Sequence, residues 1–342
     1  MKKGVYILLA CVAAATLAVA AWMLHTRILG RNVLSEKAYS LFIPTGASFD
    51  EVVAILERDS VIRDMEAFCW LAKRMRYPQQ VKPGRYLITP GMTNKEIVSK
   101  LRSGQQDPVH VYIGKYRTKS QLAGFIAGKL EADSTRLMAL LEDSAFLATY
   151  GLNPHNALAV ILSDQYAFYW NTSAEKFIER MHREFRNYWN SRRLQQAEQL
   201  NLSPVEVIIL ASIVEEETNY DPEKTTIAGV YLNRLRKGMK LEADPTVKYA
   251  MQNFEARRVL HHHIRQYSPY NTYMVKGLPP GPICIPSKSS IEAVLQAEEH
   301  DYLYFCARDD FSGRHVFART YREHLRNARK FQKALNERNI KG

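Results

Sequence analysis

From Gly4 to Leu24 the chain runs 21 residues without a charge. Inside a bilayer such a run has to be helical, because only a helix satisfies every backbone N–H and C=O within a single segment. Its length matches the hydrocarbon core. Lys2 and Lys3 precede the run and Arg27 and Arg31 follow it, so the positive-inside bias is weak. Ala18-Val19-Ala20 has the small-x-small form of a cleavage site. Leu8-Leu9-Ala10-Cys11 has the form of a lipobox, but only seven apolar residues, Gly4 to Ala10, would precede Cys11. An uncleaved anchor uses the full length best. On all three readings the rest of the chain leaves the cytoplasm.

With 342 residues the chain has room for two domains beyond the anchor. The expected division is a cytoplasmic stub and anchor at 1–27, a linker at 28–37, a small module at 38–112 and a larger domain at 113–342. In the module, Gly46 to Leu56 and Gly91 to Leu101 share a pattern, which a third segment from Thr118 repeats loosely. Each begins on Ser or Thr as N-cap. The first two then place an acid inside the first turn, and apolar residues recur at helical spacing. Strand-like runs at Tyr39–Pro44, Gly84–Ile88 and Val109–Ile113 complete an α+β module. Leu137–Tyr150 and Ala174–Gln199 read as helices. Tyr302–Ala307 reads as a buried strand with His315–Phe317 as partner, and a charged amphipathic helix follows from Thr320.

Ser203-Pro204-Val205-Glu206 combines an N-cap serine, a proline at the first helical position and a glutamate that closes a capping box. The helix it starts is apolar nearly all round, so it belongs inside the domain, and it ends in Glu215-Glu216-Glu217. Carboxylates there face the negative end of the helix dipole, burial and one another, all of which raise a carboxyl pKa. A carboxyl kept protonated near neutrality is what a general acid requires. Positions 215 and 217 lie about 200° apart on a helix, so one at most faces a given cleft. Glu215, four residues after Ala211, is the expected acid. A solvated acidic helix end is the bland alternative. Asp244 is the nearest second carboxylate, and Asp244-Pro245-Thr246 reads as an N-cap. Asp221-Pro222 reads as another.

The net charge of +12 suits nucleic acid, an anionic membrane or an acidic polymer. No nucleic-acid motif accompanies it. Cys11, Cys69, Cys284 and Cys306 suit neither a zinc site nor a redox pair, and His261-His262-His263 has no carboxylate at ligand spacing. No P-loop, dinucleotide fingerprint or serine elbow is present, so neither metal nor cofactor is expected.

Ala211 to Thr218, Val230 to Leu235, Met239 to Val247, Ser268 to Tyr273, Gly277 to Ile283, Tyr302 to Phe305, His315 to Phe317 and Glu323-His324 together resemble the endolytic murein transglycosylase family of YceG-like proteins. The resemblance implies a single-pass membrane protein with a LysM-like module and a catalytic domain outside the cytoplasm. It implies an endolytic lyase cutting MurNAc-β-1,4-GlcNAc bonds within glycan strands to leave 1,6-anhydroMurNAc ends. Such an enzyme would terminate nascent glycan elongation beside peptidoglycan synthases. A peptidoglycan-binding scaffold with weak activity is the alternative. On this resemblance the first glutamate of the pair, Glu215, is catalytic and Glu217 supports it. Asp244, Thr246, Tyr270, Asn271, Thr272 and Tyr273 would bind substrate. Glu216 stands where the family commonly has Lys, which should raise the Glu215 pKa further. Lys115 lies in a segment that usually reads Glu-Gly, and Leu162-Ser163-Asp164-Gln165-Tyr166 replaces another family segment.

Overall fold

The computed structural model describes residues 2–256 and 258–338. Met1, where the expected anchor begins, and residues 339–342, where the expected catalytic domain ends, lie outside them. The chain divides into two compact units. One comprises residues 1–111, 128–131 and 167–173, the other residues 112–127, 132–166 and 174–342.

The first unit opens with α1 (Lys2–Leu29), which is long and apolar enough to cross a bilayer. Then follow β1 (Tyr39–Ile43), α2 (Phe49–Arg58), α3 (Met65–Arg74), β2 (Gly84–Ile88) and α4 (Asn94–Ser103). Ser48 with Glu51 and Thr93 with Glu96 close complete capping boxes at the starts of α2 and α4. β1 and β2 pair antiparallel, with Leu41 opposite Tyr86 and Ile43 opposite Gly84. Alternate residues Leu41, Ile43, Tyr86 and Ile88 point into one core with Val52, Leu56, Phe68, Ile97 and Leu101. Gly84 has φ +143°, a backbone conformation that residues with a Cβ rarely adopt, so a larger residue there would be strained. α3 was not foreseen from the sequence. The segment read as a linker is tied to the first unit. Asn32 donates to Asn94 Oδ1 at 2.6 Å and accepts from Asp64 N at 2.7 Å, and Asn94 donates to Arg27 O at 2.9 Å.

Two strands, β3 (Val109–Ile113) and β4 (Asp164–Phe168), pair in a sheet of their own; β4 was also unforeseen. The second unit holds α5 (Lys119–Ala127), α6 (Ser134–Glu142), α7 (Ser144–Ala148), α8 (Ala174–Tyr188), α9 (Ser191–Gln199), α10 (Pro204–Glu217), α11 (Lys224–Arg236), α12 (Asp244–Ala250), α13 (His261–Ile264), α14 (Lys288–Leu295) and α15 (Tyr321–Glu337). Two expected long helices are each broken in two. Asp143 accepts from Ala145 N and Phe146 N and starts α7, and Asn190 accepts from Arg193 N and starts α9. In both cases a side-chain cap outcompetes continuation of the helix. The antiparallel hairpin of β5 (Tyr304–Ala307) and β6 (His315–Ala318) forms as expected, but β5 is half-buried rather than buried. Asp221 does not cap α11. It begins a 3-10 turn, Asp221–Glu223, that leads into the helix.

At the centre lies α10, with Val207 to Val214 buried without interruption. Its one hydroxyl there, Ser212 Oγ, donates to Ile209 O at 2.7 Å and accepts from Ile283 N at 3.0 Å, so no polar atom is stranded.

Candidate active site

The capping box of Ser203 and Glu206 fixes where α10 begins, and therefore where its last turn lies. At 100° per residue the three closing glutamates leave the helix in three directions, and each meets different chemistry.

Glu215 Oε2 accepts from Ser287 Oγ and Ser290 Oγ, each at 2.5 Å, and from Ser287 N and Lys224 Nζ, each at 3.3 Å. Lys224 is buried and also pairs with Asp221 at 2.7 Å. Burial pushes the Glu215 carboxyl up, but the two serine hydroxyls and the Lys224 ammonium outweigh it and hold the group below the usual carboxylate range. This overturns the expectation of a raised pKa at Glu215. The helix-end and burial effects are there, and the groups that defeat them arrive from α11 and the start of α14.

Glu216 accepts from Arg117 Nε at 3.0 Å and Nη2 at 2.9 Å, and Lys115 Nζ lies 3.4 Å away. Its charge is compensated, so it does not act on Glu215 as the sequence suggested. Two of the departures from the family pattern, Lys115 and Glu216, thus meet in one ion pair. The 162–166 segment reaches the same neighbourhood, where Asp164 pairs with Lys288, next to Ser287.

Glu217 accepts from the Tyr231 hydroxyl. Burial pushes its carboxyl up to about 7, against the Tyr231 hydrogen bond and with help from the charge of Asp244. Tyr231 is itself buried and its pKa is raised well above the ordinary value, so it remains a donor. The carboxyl that sequence reasoning expected to stay protonated near neutrality therefore exists, two residues along the helix. Glu217 opens on a cleft of ≈ 330 Å³ shared with Asp244, Tyr273, Tyr304, His315 and His324.

Asp244 is the first residue of α12, and Ala243 occupies the N-cap, so the expected cap is corrected. The Asp244 carboxylate is exposed to the cleft and accepts from Tyr273 Oη at 2.6 Å. Of the expected substrate-binding residues, Asp244 and Tyr273 therefore join Glu217. Thr246, Asn271 and Thr272 have no exposed surface. Thr246 Oγ1 and Thr272 Oγ1 lie 2.8 Å apart, and Asn271 Nδ2 donates to Ile264 O and Gln266 O. These three brace the loop that carries Tyr273. Tyr270 opens on a different cleft, with Tyr249 and His155.

Sequence reasoning missed Lys224, Ser287 and Ser290 around Glu215, and Tyr231, Tyr304 and His324 around Glu217. Tyr231 and Tyr304 lie within motifs noted in the sequence, but a motif does not say which atom it faces. Among the described residues no three His, Cys, Asp or Glu side chains gather as metal ligands would. The four cysteines are free, and Cys284 is buried beneath the site.

Residues 41–330 match the model of the YceG-like family. This chain belongs to that family. An endolytic murein transglycosylase of Bacillus subtilis (strain 168) is 30% identical over 320 residues, covering 89% of this chain and 88% of that protein. One of Streptococcus pneumoniae serotype 2 (strain D39) is 26% identical over 328 residues, which span 86% of this chain but 58% of the longer relative. A crystal structure of a yceG-like protein from Listeria monocytogenes superposes with a TM-score of 0.57 at 28% identity, covering 85% of this chain and 99% of that one. As a YceG-like chain, it shares its family with proteins named for cutting murein.

Proposed function

We propose that this chain is a membrane-anchored lytic transglycosylase. It cuts MurNAc-β-1,4-GlcNAc bonds inside peptidoglycan strands and leaves 1,6-anhydroMurNAc ends, with Glu217 as acid and then base. The observation that carries the assignment of Glu217 is a carboxyl pushed up to about 7 in a cleft it shares with Asp244. Such a group is protonated often enough to give a proton and basic enough to take one back.

In the first step Glu217 protonates the glycosidic oxygen as the C1–O4 bond breaks. Tyr231 donates to the carboxylate so formed. The negative charge of Asp244, oriented by Tyr273, favours the oxocarbenium centre. In the second step the C6 hydroxyl of the same sugar attacks C1 and closes the anhydro ring, and its proton returns to Glu217. No water enters and no second nucleophile is needed. Glu215, for which the sequence suggested the acid role, is instead a fixed carboxylate. Its pairing with Lys224 and the 287–290 turn supports the last turn of α10 and so the aim of Glu217.

The remaining parts follow this reading. α1 anchors the enzyme once through the cell membrane, with the rest of the chain outside the cytoplasm. The unit built on β1 and β2 acts as a LysM-like glycan holder. Work at the membrane suits the termination of new strands beside a synthase.

The test is a digest of purified peptidoglycan by the detergent-solubilised full chain, read by mass spectrometry beside Glu217→Gln and Glu215→Gln. Anhydromuramic ends from the wild type and from Glu215→Gln, with none from Glu217→Gln, is the expected result. Full activity in Glu217→Gln would remove Glu217 from the chemistry. Reducing ends would mean that water is the nucleophile, with Asp244 as the group that activates it.

A further inference from the structure

A second cleft of ≈ 440 Å³ lies on the other side of α12, in the size range of ligand sites. It is walled by an aromatic file of Tyr249, Tyr270 and His155, with ring centroids 4.7 Å apart for Tyr249 and Tyr270 and 6.3 Å for Tyr270 and His155. The Tyr270 hydroxyl donates to His155 O at 3.2 Å. The backbone is shaped to let this happen. A Cβ at Gly281 would lie 1.8 Å from His155 O and 3.0 Å from Tyr270 Oη, so only glycine permits the approach. The same cleft is lined by Ser120 and by the ion pair of Lys119 with Glu142 at 2.9 Å. Apolar ring faces set against hydroxyls and paired charges suit a pyranose, which has an apolar C–H face and a polar rim.

A hollow of ≈ 110 Å³ lined by Glu216, Pro245, Lys248 and Tyr249 adjoins this cleft, and Tyr249 lines both. Glu216 and Pro245 are the chain neighbours of Glu217 and Asp244, which line the acid cleft. Lys248 is near enough to Glu217 for its charge to act on that carboxyl. From Asp244 to Tyr249 the helix rises roughly 7.5 Å, so a strand entering the Glu217 cleft reaches the aromatic file within a sugar or two.

We infer that the Tyr249–Tyr270 cleft is a distal saccharide subsite, which grips the glycan strand beyond the bond being cut and so favours long strands over short ones. This inference rests on the glycan-cutting reading above. It gives Tyr270 a place separate from the acid, and it assigns Tyr249, Lys248 and Ser120 to recognition.

The experiment uses the full chain with amidase-stripped glycan strands, fractionated into short and long pools. Binding is measured in the Glu217→Gln background and turnover in the active enzyme. Tyr249→Ala should weaken binding of long strands about tenfold, raise their KM far more than it lowers kcat, and shift short fragments little. Tyr249→Phe should retain most of the affinity, since the ring face is kept. Ser120 is exposed, so Ser120→Trp can plug the cleft without touching the core; it should reproduce the loss even if Tyr249→Ala folds poorly. Unchanged long-strand KM in Ser120→Trp and in a folded Tyr249→Ala, while the wild type still cuts, would overturn the subsite alone. A loss seen only with strands that keep their peptides would also overturn it, because the cleft would then hold the peptide. A wild type that neither binds nor cuts strands would instead bring down the earlier reading.

Discussion

Three identical side chains in a row, Glu215, Glu216 and Glu217, end in three different states. One is held ionised by Lys224 and two serines, one is spent on Arg117 and Lys115, and one is held near neutrality by burial. The differences have measurable consequences. If the enzyme starts with Glu217 protonated, kcat/KM should be level below about pH 7 and fall tenfold per unit above it. A pH–rate profile that falls instead on the acid side would contradict this. Stability carries the opposite mark of the same group. Between its ordinary value of 4.5 and about 7 the native chain keeps a proton that the unfolded chain has lost. Folding stability therefore declines as pH rises through that window, and Glu217→Gln, which cannot ionise, should abolish the decline. Glu215→Gln should cost about 1–3 kcal/mol in denaturant unfolding, since Lys224 keeps Asp221 but loses its second carboxylate. The sequence announced a buried helix ending in acids, and with it one perturbed carboxyl. It could not say which one, because Ser287, Ser290 and Lys224 reach Glu215 only through the tertiary fold.

Elements were legible where local chemistry decides them. The capping box read at Ser203 forms, the N-caps read at Ser48 and Thr93 each close a full box, and a further box starts the helix at Thr320. Ser203→Ala should cost about 1 kcal/mol in thermal or denaturant unfolding, and more in activity than in stability if the last turn of α10 shifts. Helix breaks at Asp143 and Asn190 were hidden because apolar spacing runs straight through them, although both residues are good caps. α3 was passed over between stronger signals, yet it buries Ala67, Phe68, Leu71 and Ala72. One ion pair ties the loop after β3 to the end of α10. Glu216→Lys alone sets three cations together at the end of α10, and it should destabilise the fold. Adding Lys115→Glu should recover part of that loss, and a double-mutant cycle would measure the coupling. Strict additivity would mean that the two residues do not feel each other.

On the scale of the whole chain, the sequence pointed to one apolar segment and not to how the chain leaves it. The apolar N-terminal run was plain in the sequence, and α1 forms over it. The segment after it, read as a short linker, is hydrogen-bonded into the first unit. Asn32 ties to Asn94 and Asp64, Arg27 O accepts from Asn94, and the backbone bridges Arg31 to Thr93 and Val33 to Ile62. A slack tether lets a domain search a volume that grows with its length. Here the first unit has almost no such freedom about α1. If α1 lies in the bilayer, that unit rides as a post rather than as a buoy. If it also holds glycan as proposed above, it samples a thin layer at one height, so its effective concentration is high for strands at that height and low for more distant wall.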